Sequence, residues 1–214
     1  MKVLIADDHG IIRLGVSQII REIDPASTIH EAEDFDETIR LLAVQDIDLL
    51  ILDINIPGGN NFQMITMVKS KQPEIKVLVF SAFSEELYAT RYFKAGADGY
   101  LQKDSAPTEV RKAVKTVLSG RHYMSQNVRE YFLQGFIGKN KDRDTNTDNP
   151  LVLLSDRETE VARMLVSGTS QTKIAEQLNL HTSTVGTHKF RIFEKLSVSN
   201  LAELIEKYRV YDYL

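Results

Sequence analysis

The chain has 214 residues, 43% apolar and 26% charged, with a formal net charge of −4. This is the make-up of an ordinary globular protein long enough for two domains. It contains no cysteine, which excludes disulfides, thiolate zinc sites and cysteine nucleophiles. No apolar run approaches the roughly 18 residues of a membrane span and no secretory pattern opens the chain, so a cytoplasmic protein with no membrane partner is expected.

Through residues 1–121 short apolar runs alternate with segments of helical period. The runs are Val3-Leu4-Ile5-Ala6, a weaker one around Ile29, Leu49-Leu50-Ile51-Leu52, Val77-Leu78-Val79-Phe80 and Gly99-Tyr100-Leu101. In the first helical segment Ile11, Ile12, Leu14, Val16, Ile19, Ile20 and Ile23 supply a broad apolar face at steps of three and four. Alternating strands and helices predict an α/β domain with a parallel sheet covered by helices on both faces; five strands fit a doubly wound sheet, for which the order 2-1-3-4-5 is expected.

Residues 122–150 read as a sixth helix, with Val128, Tyr131, Phe132 and Phe136 on one face, followed by a linker from Gly138 to Pro150 without an apolar residue. Residues 151–214 are helical throughout and predict a separate all-α domain of four helices. Ser155 and Glu158 form a capping box ahead of Val161, Met164 and Leu165, and Gly168 suits the stop. A second helix carries Ile174, Ala175 and Leu178. A third runs from about Thr182 to Leu196 with Val185, Ile192 and Leu196 inward, and a fourth carries Leu201, Leu204, Ile205 and Tyr208.

The chemistry-bearing residues sit where strands end. Asp7 and Asp8 follow the first run, Asp53 the third, Ser81 the fourth, and Lys103 lies just past the fifth. Alone, such an aspartate pair is more often a turn or helix cap than an acid–base pair or a metal ligand. In the predicted strand order, however, strands 1 and 3 are neighbours, and the three carboxylates converge on the crevice at the carboxyl edge of the sheet. Oxygen ligands alone suit a hard cation such as Mg²⁺. Lys103 and Ser81 would serve phosphoryl oxygens, and Asp53 would be the nucleophile of a phosphoryl transfer.

These residues also carry a family resemblance. "LIADDHG", "LLILDINIPGG", "VFSAF" and "KAGADGYLQKD" resemble the receiver domain of bacterial two-component response regulators. "LSDRETEVARMLVSGTSQTKIAEQLNLHTSTVGTHKFRIFEKLSV" resembles the LuxR-type helix-turn-helix. Together they resemble a NarL/FixJ-family response regulator. The resemblance implies Asp53 as phosphoacceptor, served by a partner histidine kinase. It implies Mg²⁺ held directly by Asp8, through water by Asp7, and by Asp53 and the Asn55 carbonyl. It also implies Ser81 and Tyr100 as a switch pair, Lys103 as partner of the phosphoryl group, and a homodimer when phosphorylated. Asn61 stands where the family commonly has glycine, and Ser81 where threonine is frequent. No turnover of a separate substrate is expected: a dehalogenase-type hydrolase needs a second acid two residues past its nucleophile, and here that residue is Asn55.

Charge does not announce double-stranded DNA as a partner. Residues 150–214 carry eight basic and eight acidic residues, although residues 181–196 are locally +2. In a helix-turn-helix the second helix enters the major groove. The surface candidates there are Thr182, Ser183, Gly186, Thr187, Lys189, Phe190, Arg191 and Lys195. Gly186 and Phe190 fall where many relatives carry Lys, Asn or Arg, and a helix-interior glycine costs roughly 1 kcal/mol relative to alanine. Phe190 either packs against its own domain or touches a thymine methyl. His181 replaces a common capping serine, so Thr182 is expected to cap instead. The last helix, with Tyr208, Tyr211 and Tyr213, offers a dimer contact on its outer face.

Overall fold

Four-residue blocks such as Leu49–Leu52 have no polar face to give to water, so a strand made of them must be covered on both sides. The computed structural model describes residues 1–59, 61–83, 85–126, 129 and 149–211. The sixth helix expected around Val128, Tyr131, Phe132 and Phe136, most of the linker, and Tyr213 lie outside the described residues. The chain divides into two compact units, Met1–Lys139 and Asn140–Leu214.

In the first unit five strands, β1 (Lys2–Ala6), β2 (Thr28–Ala32), β3 (Leu49–Leu52), β4 (Lys76–Ser81) and β5 (Gly99–Gln102), alternate with five helices. These are α1 (Gly10–Ile23), α2 (Phe35–Val44), α3 (Asn61–Lys71), α4 (Glu85–Ala95) and α5 (Pro107–Leu118). The sheet is parallel in the order 2-1-3-4-5, as expected. On one face Val3, Ile5, Leu49, Ile51, Leu78 and Phe80 pack against Val16 and Ile20 of α1 and Val110, Val114 and Val117 of α5. Each such side chain contributes about 1.5–3 kcal/mol when fully buried.

The inward stripe of α1 departs from the expected one. Arg13, Val16, Ser17 and Ile20 are its buried residues, whereas Ile11 and Leu14 are 75% and 65% exposed. The stripe is centred on positions 13, 16, 17 and 20, and the apolar residues Ile11 and Leu14 lie on a neighbouring face that is largely exposed among the described residues.

β2 and β5 are the edge strands. Beyond β5, Tyr123 forms an isolated parallel bridge to Gly99. Its N–H donates to the Asp98 carbonyl at 3.0 Å, and its own carbonyl accepts from Tyr100 N–H at 3.2 Å. Glycine permits this close approach. A Cβ on residue 99 would lie 2.8 Å from Leu78 Cδ1, 2.9 Å from Val117 Cγ2 and 3.3 Å from Tyr123 Cβ. The packing of the first unit therefore continues past residue 121.

The second unit opens with a 3₁₀ turn, Pro150–Leu153, followed by α6 (Asp156–Val166), α7 (Gln171–Gln177), α8 (Thr182–Leu196) and α9 (Leu201–Tyr211). The Ser155/Glu158 capping box is formed. α6 ends as a Schellman motif: Thr169 N–H donates to Met164, Gly168 N–H to Leu165, and Gly168 takes φ +81°. Val161, Leu165, Ile174, Ala175, Leu178, Val185, Ile192, Leu196, Leu204 and Tyr208 form the core, with Met164 half-buried and Leu201 at the surface. Among the described residues no helix is long and apolar enough to cross a membrane.

Candidate functional site

Parallel pairing of β1 with β3 sets Ala6 opposite Leu52, so the residues that follow them, Asp7 and Asp53, emerge side by side. Asp53 N–H donates to the Ala6 carbonyl at 2.8 Å, fixing that register one step beyond the ladder. Both carboxylates are buried, Asp53 to 3% exposure, while Asp8 and Asn55 stand in solvent. Lys103, just past β5, reaches across with Nζ 2.6 Å from Asp7 Oδ2 and 3.0 Å from Asp53 Oδ2. The other Asp53 oxygen accepts the Asn55 N–H at 3.0 Å.

Burial pushes the Asp53 carboxyl above the usual aspartate range, and Asp7 adds to the rise. Lys103 and the Asn55 N–H pull the other way without cancelling it. Asp7, Asp8, His9 and Asp53 each offer a ligand atom, all within 4.8 Å of one another. Carboxylate oxygens dominate that set, which suits a hard divalent cation.

Ser81 and Tyr100 are buried beside this cluster and meet at Phe83. The Ser81 hydroxyl accepts the Phe83 N–H at 3.1 Å, and Tyr100 Oη donates to the Phe83 carbonyl at 3.0 Å. Lys103 N–H donates to the Ser81 carbonyl at 2.8 Å, tying the ends of β4 and β5 together.

His9 and Arg13 also border the cluster, although residue type does not mark either of them. His9 Nδ1 lies 2.7 Å from Asp8 Oδ1 and 3.2 Å from Asp7 Oδ1, and its N–H donates to Asp7 at 2.9 Å. Arg13 is buried; it donates to the Asp7 carbonyl at 2.8 Å and pairs with Glu31 at 2.8 Å and Glu33 at 2.5 Å. A charged residue in phase with Val16 and Ile20 was the available signal.

In the second unit α8 carries the remaining candidates. Thr182, Ser183, Thr187, Phe190, Arg191 and Lys195 are exposed; Gly186 and Lys189 are half-buried. Phe190 is 64% exposed, so it does not pack against its own domain. The Lys189 ammonium sits 5.4 Å from the centre of the Phe193 ring. Lys195 is drawn inward, 2.6 Å from Glu158 Oε2. His181 and not Thr182 occupies the cap position of α8, without a side-chain cap bond: its backbone is extended, while Thr182 is already helical.

Burial alone raises the Glu158 carboxyl, but Lys195 and the Ser155 N–H and hydroxyl hold it below its usual 4.5. A carboxyl depressed in the fold lends stability that is complete above the unfolded value. That stability is lost as pH falls through the folded one. Denaturant unfolding of the full chain, followed by NMR of α8 amides, is expected to show this unit losing stability once pH drops below 4.5. Glu158→Gln should cost about 1–3 kcal/mol at neutral pH and flatten that fall. An equally steep fall in the variant would assign it to other groups.

Residues 3–115 match the model of the response regulator receiver domain, and residues 152–208 match that of the bacterial regulatory proteins of the luxR family. The Fimbriae Z protein of Escherichia coli (strain K12) is 33% identical over 210 residues, covering 98% of this chain and 97% of that protein. The response regulator GacA of Pseudomonas syringae pv. syringae is 30% identical over 205 residues, 95% of this chain and 93% of its own. RcsB of Salmonella enterica serovar Typhimurium has been solved bound to the promoter rprA in the presence of the phosphomimetic BeF3−. It superposes with a TM-score of 0.79 at 26% identity, over 97% of this chain and 98% of that one.

Proposed function

The chain belongs to the NarL/FixJ family of response regulators, DNA-binding regulators that join a receiver to a LuxR-type helix-turn-helix. On that footing we propose that Asp53 accepts a phosphoryl group from a partner histidine kinase and that this controls dimerisation and sequence-specific DNA binding. The observation that carries the reading is the buried Asp53 carboxylate, held between the Lys103 ammonium and the Asn55 N–H beside two further aspartates.

In the transfer an Asp53 oxygen attacks phosphorus, the bond to the kinase imidazole breaks, and the imidazole keeps the electron pair of that bond. Asp7, Asp8 and Asp53, with the Asn55 carbonyl, would hold Mg²⁺. When bound, the ion neutralises carboxylate and phosphoryl charge. Lys103 is placed to exchange its Asp53 contact for a phosphoryl oxygen. The product adds negative charge and acceptor oxygens at the sheet edge.

Phe83 supports a route outward. Once the Ser81 hydroxyl turns to a phosphoryl oxygen, it releases the Phe83 N–H, and the Tyr100 hydroxyl is bonded to the same residue. A shift at Asp53 therefore reaches the Tyr100 side chain of β5 through one residue, Phe83. Thr182, Ser183, Gly186, Thr187, Lys189, Phe190, Arg191 and Lys195 are the proposed DNA-facing set, with Lys195 the least free of them.

Incubating the full chain with a small acyl phosphate and Mg²⁺ tests the proposal. A single added phosphoryl group in the intact mass, a larger species in solution and tighter binding to selected duplex DNA are expected. Uptake of phosphate with no change in assembly or DNA affinity would overturn the regulatory half of the reading.

A further inference from the structure

Phe190 is an aromatic side chain that the fold does not use. It lies on α8 away from the inward residues Val185, Ile192 and Leu196, and 64% of its surface meets solvent. Exposed large apolar side chains on a helix that also carries Thr187, Lys189 and Arg191 form a mixed surface: one apolar spot among phosphate-competent donors.

Gly186, one turn earlier on the same face, completes the arrangement. A helical side chain leans toward the N-terminus, over the residue four positions before it. The Phe190 ring is thus directed over a residue with no side chain. Among the described residues nothing requires that glycine: a Cβ there would meet only Gln171 Oε1, at an unstrained 3.8 Å. A bare position beneath the ring would let the helix backbone approach a ligand closely.

Resting on the DNA-binding reading of α8, we infer that Phe190 is a specificity-determining residue that packs on the C5-methyl of a thymine in the major groove. In that groove the thymine methyl is the apolar feature a ring can recognise; the other base edges present donors and acceptors. A ring also discriminates against cytosine and guanine by leaving their polar edges without a partner. Neighbouring Arg191 and Lys189 would take phosphates, which hold register without reading sequence.

The test uses the full chain. Duplexes enriched from a random pool by the phosphorylated protein are remade with each thymine singly replaced by uracil, which deletes the methyl and nothing else. Affinities are measured at one fixed salt concentration. One thymine per half-site is expected at which uracil weakens binding about fourfold, the value of one buried methyl-sized group. Phe190→Ala, a surface change whose fold is checked by circular dichroism, is expected to bind thymine and uracil duplexes alike, with an unchanged salt slope. A wild-type chain blind to the methyl at every position, or a methyl preference that survives in Phe190→Ala, overturns the assignment. A reduced salt slope in the variant also overturns it, since Phe190 would then be placing a phosphate contact. A pool that yields no enriched DNA overturns the DNA-binding reading itself, a result distinct from methyl-blind binding.

Discussion

Asp53→Asn is expected to reduce phosphoryl uptake from a small acyl phosphate at least roughly 100-fold, because the amide lacks the nucleophilic oxygen. The variant should nevertheless fold. Lys103 keeps its 2.6 Å partner Asp7, and the replacement's carbonyl oxygen can still accept the Asn55 N–H. The loss is therefore chemical and not structural, and two measurements separate the possibilities: intact mass after phosphodonor treatment, and denaturant unfolding without it. Undiminished labelling of a folded variant would move the phosphoacceptor to another residue.

Lys103→Met, unlike Asp53→Asn, is expected to carry a large cost in stability. Asp7 and Asp53 are 2% and 3% exposed, and Lys103 is the cation within 3.0 Å of both. Removing one partner of a buried ion pair leaves charge that neither water nor protein compensates, at about 3–5 kcal/mol. Urea unfolding of the first unit should show this loss directly. Added Mg²⁺ should restore part of it in the variant, since a divalent cation offers the same carboxylates a new partner. A loss well under 1 kcal/mol would mean that water already reaches the aspartates.

The sheet was legible because its strands are short apolar blocks that no solvent-facing element could use. β2 was the faintest, and the reason is physical: it is an edge strand with four of its five residues exposed or half-exposed, so its composition need not be apolar. Asp7, Asp53, Ser81 and Lys103 were legible because residues that follow strands in a parallel sheet share one edge. His9 and Arg13 were not, because what matters about them is phase and burial, and neither is written in residue type. Ile11 and Leu14 misled for the mirror-image reason, being apolar residues turned outward. On α8, the inward set Val185, Ile192 and Leu196 followed from spacing alone. The exposure of Phe190 did not, since a phenylalanine in a helix suits either face.

The Tyr123 bridge has a consequence for how the first unit behaves on its own. Left bare, β5 would present a row of unmatched main-chain donors and acceptors, a template on which a second molecule could add its own strand. The bridge occupies that row at the Asp98 carbonyl and the Tyr100 N–H. A fragment stopped at Arg121 would expose it and is expected to self-associate through its edges in light scattering. A fragment carried a few residues beyond Tyr123 should remain monomeric. Tyr123 would thus act as a cover on the open edge of the sheet.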